Sequence, residues 1–150
     1  MSVISCEKAR ALMEGGFTCA IFNSVGGGEK FDEKMYKSEK RGVAPLLAWL
    51  ESGEDFHGFS AVDKVVGKAA AFLYVLLGVK NLYAFVLSEE AERVLTTYGI
   101  AVEYQEKVPA IRNRTDTGFC PMEQAVWNID EPKSAHLAIL ETLEKLQGDK

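Results

Sequence analysis

Histidine is scarce in this chain, cysteine is scattered, and no residue run is apolar enough to leave water entirely. Two histidines occur, His57 and His136, and neither lies near a second ligand type in sequence. Each reads as a structural or surface residue. The three cysteines, Cys6, Cys19 and Cys120, are odd in number and far apart. That pattern argues against a disulfide framework and suits a reducing cytoplasm. Cys-x-x-Cys and His-x-Glu do not occur, so no metal and no cofactor is expected. The longest apolar stretch, Ala69 to Val79, is too short to span a bilayer and reads as a buried core helix. Positive charge is not in excess: 17 Lys and Arg face 22 Asp and Glu, a formal charge of −5. Such a chain has no global pull toward nucleic acid or anionic membrane. Glu7, Lys8 and Arg10 follow Met1 closely, with no leader-like apolar run. Repeats, low-complexity tracts and linkers are also missing, so the 150 residues are expected to form one cytoplasmic domain with a sizeable core.

What is present is an alternation of helical and strand patterns. Cys6 to Glu14 has helical spacing and stops at Gly15-Gly16. Phe17 to Asn23 reads as a strand, Ser24 to Gly28 as a turn, and a second strand within Lys30 to Ser38 completes a hairpin. A helix from about Val43 to Ser52 carries Leu46, Leu47 and Leu50 on one stripe. Phe59 to Asp63 reads as a strand, with a helix from Lys64 to Leu77. Leu82 to Leu87 and Ile100 to Tyr104 are further strands, separated by a helix from Ser88 to Tyr98. Lys107 to Gly118 is irregular, and helices over Pro121 to Asn128 and Pro132 to Gln147 close the chain. Alternating strands and helices imply a largely parallel sheet with helices on both faces, a three-layer α/β/α sandwich.

The most informative stretch runs from Thr117 through Gly118, Phe119 and Cys120 to Pro121, Met122 and Glu123. It reads as a loop that delivers a cysteine to a helix start, with Pro121 at the first helical position. Glu123, three residues on, can reach back like the acid of a capping box. A thiol among free N–H groups at the positive end of a helix has a lowered pKa, which is how a reactive cysteine is made. A small buried thiol at a loop-to-helix joint explains the same residues.

Val62 to Ala69 forms a second constellation, where a strand end meets a helix start. In open α/β sheets ligands bind at that edge. Asp63 is expected to cap the helix. Lys64 and Lys68 would share one helix face, and Gly67 would let a ligand or another backbone come close. Free N–H groups with two lysines suit phosphate or carboxylate. The sequence is not a P-loop, because Val62 and Ala69 stand where glycine and a hydroxyl residue are needed. Arg41-Gly42 before the earlier helix, and Arg112 and Arg114 before Cys120, are weaker anion-binding signals. Gly26-Gly27-Gly28 reads only as a turn.

The element order, with Gly42-Val43, Asp63-Lys64-Val65-Val66-Gly67-Lys68-Ala69-Ala70 and Thr117 to Glu123, resembles an uncharacterised prokaryotic domain family with a cytidine-deaminase-like fold. The resemblance covers roughly Phe17 to Asp130. It implies a five-stranded mixed sheet with helices on both faces, and a pocket at the helix N-termini where true deaminases hold zinc. Those enzymes use one His or Cys, a Cys-x-x-Cys pair and a proton-shuttling Glu. This chain has none of that set, and lysines near the metal position would repel a dication.

Three readings of function follow. One is a binding module or non-zinc enzyme for a small anionic, nucleotide-like ligand held by Arg41, Gly42, Asp63, Lys64, Gly67, Lys68, Arg114 and Thr117. Another is a cysteine-dependent enzyme acting on an amide or amidine carbon, with Cys120 as nucleophile and Glu123 or Asp63 carrying the proton. A third is a scaffold or regulatory protein with a vestigial site. Monomer and homodimer both stay open.

Overall fold

The structure is a computed structural model and describes residues 4, 6–25, 32–40, 42–112 and 120–148. Its elements are α1 (Cys6–Met13), β1 (Cys19–Val25), β2 (Asp32–Ser38), α2 (Ala44–Glu51), β3 (Ser60–Val66) and α3 (Lys68–Leu77). They continue with β4 (Asn81–Ser88), α4 (Glu89–Thr97), β5 (Ala101–Val108), α5 (Pro121–Val126) and α6 (Pro132–Gly148). The strands form one five-stranded sheet in the order β2-β1-β3-β4-β5. β1 pairs antiparallel with β2 and with β3, while β3–β4 and β4–β5 are parallel. This is the mixed sheet, flanked by helices on both sides, that the element order and the family resemblance imply.

Side-chain alternation along β3 divides the two faces. Val62 joins Ala20, Phe22 and Tyr83 under α1, with Ala9, Leu12 and Met13 of that helix. Ala61 faces the opposite way, into the larger core built with α2, α3 and α4. α3 lies at the centre of that core, with α6 and α5 packed on it from outside. Its Ala69, Ala71, Phe72, Leu73 and Tyr74 are all buried, as expected for a helix that is apolar nearly all round.

Three strands run on past their expected ends. β1 takes in Ser24 and Val25, read as turn, and β3 and β5 lengthen too. The change at β3 moves two candidate site residues. β3 does not stop at Asp63. It continues to Val66, and Gly67 is the N-cap of α3 in extended backbone, φ −99° and ψ −174°. The reason is the parallel ladder: Val65 pairs with Val86 and Val66 with Leu87, which satisfies the backbone there as strand. β-branched Val65 and Val66 suit that conformation. Asp63 is therefore a mid-strand residue and not a helix cap, and Lys64 and Lys68 do not share a helix face. β5 likewise runs on to Val108 through Lys107, which reads as irregular from sequence. Pairing of Leu87 with Lys107 and Ser88 with Val108 extends it. An edge strand tolerates charged side chains that a central strand would not. At the start of α4 the signal holds. Ser88, the expected helix start, caps α4 by accepting from the Ala91 N–H at 3.1 Å.

Candidate pocket at the C-terminal end of β3

A cavity of about 370 Å³ opens where β3 ends, between the starts of α2, α3 and α5. Asp63, Lys64, Val65 and Gly67 line it from β3 and its junction with α3, and Gly42 and Val43 from the approach to α2. Cys120, Met122 and Glu123 close it from α5, with Thr18 and Ile111 at the sides. Gly42 has φ +63°, a left-handed conformation that favours glycine. Of the residues singled out from sequence, Gly42, Asp63, Lys64, Gly67, Cys120 and Glu123 share this cavity. Arg41, Arg114 and Thr117 lie outside the described residues.

Lys68 goes elsewhere. Its side chain is 1% exposed and its ammonium donates to the Trp127 carbonyl at 2.8 Å. Asp130 and Glu90 carboxylates stand 3.7 and 3.8 Å from it, and the Phe72 ring centre 5.9 Å. A cation so placed holds α3 to the end of α5. The expectation that Lys68 turns its charge into the pocket fails because a buried ammonium needs acceptors, and the α5 C-terminus supplies one.

Glu123 also differs from expectation. It does not reach back to its own helix start. Its carboxylate crosses to α3, where Oε1 accepts from the Lys68 N–H at 2.8 Å and Oε2 from the Ala69 N–H at 2.9 Å. The anion position at the start of α3 is thus taken by a carboxylate of the chain itself. Gly67 serves this contact: a Cβ there would lie 2.5 Å from Glu123 Cδ and Oε1 and 2.7 Å from Oε2. What comes close to Gly67 is Glu123. Burial raises the Glu123 pKa, and the two amide N–H groups oppose that rise. Cys120 is the N-cap residue of α5, but its side chain makes no capping bond there. Its thiol is half-buried at the pocket wall.

Asp63 is the most perturbed polar group in the pocket. It is 6% exposed, and burial pushes its pKa from 3.8 up to about 7. The Tyr74 hydroxyl donates to Asp63 Oδ2 at 2.7 Å, and the Val65 N–H to Oδ1 at 3.3 Å. Both bonds favour the ionised form and hold the rise in check. Behind Tyr74, the Cys19 thiol sits 3.0 Å from the same hydroxyl. Burial pushes the Cys19 thiol and the Tyr74 phenol well up, and the nearby Asp63 charge adds to both. Among the described residues no three His, Cys, Asp or Glu side chains gather as a metal centre would need.

The profile of a domain of unknown function, DUF1893, matches residues 8–143. The chain belongs to the DUF1893 family. A solved DUF1893 family protein from Thermotoga maritima is similar over 93% of this chain and 87% of its own, with a TM-score of 0.73 and 22% identity. At that identity the likeness concerns the fold. The apo dCMP deaminase of cyanophage S-TIM5 covers 69% of this chain and 99% of its own, with a TM-score of 0.42 and 17% identity. No curated protein matches the chain.

In this DUF1893 chain, sequence reasoning missed the partners of Asp63. Cys19 lies opposite Asp63 in the β1–β3 register. Tyr74 belongs to the stretch read only as core helix. Its signal was available, since it is the one residue between Ala69 and Leu77 with a hydrogen-bonding side chain. A hydroxyl in so apolar a helix needs a buried partner.

Proposed function

We propose that this chain binds a small nucleotide-like molecule in the pocket at the end of β3, without zinc. The observation that carries this reading is the cavity itself. Its volume, about 370 Å³, suits a small organic ligand, and apolar walls surround a few convergent polar groups. The flat apolar part of the ligand fits between Val43, Ala70, Ile111 and Met122. An anionic part belongs at the mouth, where exposed Lys64 carries charge, because Glu123 already occupies the start of α3. Thermal-shift and calorimetric titration with nucleosides, nucleotides and nucleotide sugars tests the proposal. Lys64→Ala should weaken nucleotides more than nucleosides. If no member of the panel binds below millimolar, a scaffold role replaces this reading.

One observation favours a second reading: Cys120 and Asp63 line the same cavity. Asp63, with its pKa near 7, would accept the thiol proton as the Cys120 sulfur adds to an amide or amidine carbon. The C=O or C=N π bond opens, and the proton returns to the nitrogen that leaves as amine when the C–N bond breaks. Both Glu123 oxygens are engaged with α3, so Asp63 is the better proton acceptor. A covalent adduct on Cys120 by intact-protein mass spectrometry, absent in Cys120→Ser, is the test.

A further inference from the structure

When Asp63 is ionised, the hydrogens around it all point toward it. Tyr74 has a single hydroxyl hydrogen and gives it to Asp63 Oδ2. Cys19, 3.0 Å from the same oxygen, must then be the donor to Tyr74. The chain Cys19–Tyr74–Asp63 therefore delivers donors toward the carboxyl and asks it to be an acceptor. Oδ1 accepts from the Val65 N–H at 3.3 Å, a long bond that leaves lone-pair capacity on a carboxyl that lines the cavity.

The interior offers Asp63 no counter-ion among the described residues. Among the described residues no ion pair joins it to Lys64, whose side chain is exposed, and Lys68 is committed to Trp127. The other titratable groups around it, among the described residues, are Cys19 from β1, Tyr74 from α3, and Cys120 and Glu123 on the same cavity. Gly42, Val43 and the β4 neighbour Ala84 carry no charge. A buried carboxylate without a cation is costly, and a cationic partner removes much of that cost.

We infer that Asp63 is the inner recognition group of this pocket and takes a protonated nitrogen base, an amine or amidine of a small molecule. The inference rests on reading the cavity as a ligand site and names the chemistry of the ligand's inner end. The base enters as its cation, and Asp63 releases its proton to solvent as the ion pair forms. The covalent bonds of the ligand are unchanged. A pKa near 7 for the free carboxyl places the exchange within the working pH range. Among the described residues, an oxyanion at the same depth would meet the Asp63 and Glu123 carboxyls, which repel it.

The test is an amide chemical-shift titration of the full chain with benzamidine, and with its isosteres benzamide and benzoate, at pH 6 and pH 8. Benzamidine should bind about tenfold more weakly at pH 6, because a carboxyl titrating near 7 falls from roughly nine-tenths to one-tenth ionised. Benzoate should not bind in the pocket at either pH. Asp63→Asn should lose benzamidine binding and its pH dependence. Tyr74→Phe removes a donor to the carboxylate, so the pH midpoint for benzamidine should move up, which loss of packing alone would not do. Benzoate binding as tightly as benzamidine, or benzamidine binding that is flat in pH, overturns the inference. If nucleotides bind but benzamidine does not, the pocket stands and this assignment falls. If neither binds, both fall.

Discussion

Replacing Gly67 by alanine adds one methyl group at the point where two helices meet through a carboxylate. The backbone at Gly67 is extended, so alanine brings no φ/ψ strain there. The lost chain freedom of the unfolded state would by itself stabilise the protein by about 0.4–1 kcal/mol. The contacts decide the opposite. The new Cβ would lie 2.5 Å from Glu123 Cδ and Oε1. The carboxylate must withdraw, and the Lys68 and Ala69 amides then lose their acceptor. Hydrogen bonds to a charged group contribute about 1.5–3 kcal/mol each, and partial relaxation recovers some of that. A net loss of about 2–4 kcal/mol is expected. For a chain of this size that lowers Tm by roughly 5–15 °C, at about 2–4 °C per kcal/mol. Urea unfolding of wild type, Gly67→Ala, Glu123→Ala and the double variant measures it. In the Glu123→Ala background the clash partner is gone, so Gly67→Ala should be neutral or slightly stabilising. Equal destabilisation by Gly67→Ala in both backgrounds would refute the contact.

Lys68→Met should cost about 2 kcal/mol in chemical denaturation, the scale of one hydrogen bond from a buried charge, while leaving nucleotide affinity unchanged because its ammonium faces Trp127. Loss of binding without loss of stability would place that ammonium in the pocket instead. For Asp63, the native carboxyl keeps its proton to about pH 7, whereas the unfolded chain releases it near 3.8. Wild-type stability should therefore fall as pH rises through that window, by at most about 4 kcal/mol at ~1.4 kcal/mol per unit. Asp63→Asn should remove this part of the slope, measured as ΔG of unfolding from pH 4 to 8. An unchanged slope would mean that Asp63 is ionised throughout.

The strand-helix alternation was legible because it rests on local signals. Pro121 marks the start of α5, Gly78 ends α3, and Ser88 caps α4, each through chemistry within a few residues. The β3–α3 junction was not, because Val65 and Val66 are compatible with either state until β4 lies beside them. Grouping Asp63, Lys64, Lys68 and Cys120 from two helix starts was right in place for three of them, but Asp63 and Lys64 line the pocket from the strand and Lys68 turns away. Glu123 could be singled out but not assigned. Three-residue spacing suggested a cap on its own helix, and only α3 packed against α5 offered two amides at 2.8 and 2.9 Å.

By itself, then, the sequence determined the element order, the apolar α3 and the sheet edge that carries the pocket. These follow from periodicity and turn chemistry, which act over a few residues. Tertiary structure alone decided which charges face that pocket. Lys68 and Glu123 lie 55 residues apart in Lys68 N–H to Oε1 contact, and Tyr74 meets Cys19 across the same separation. A buried charge or hydroxyl goes wherever the packed chain supplies its partner, and that partner is set by which elements touch.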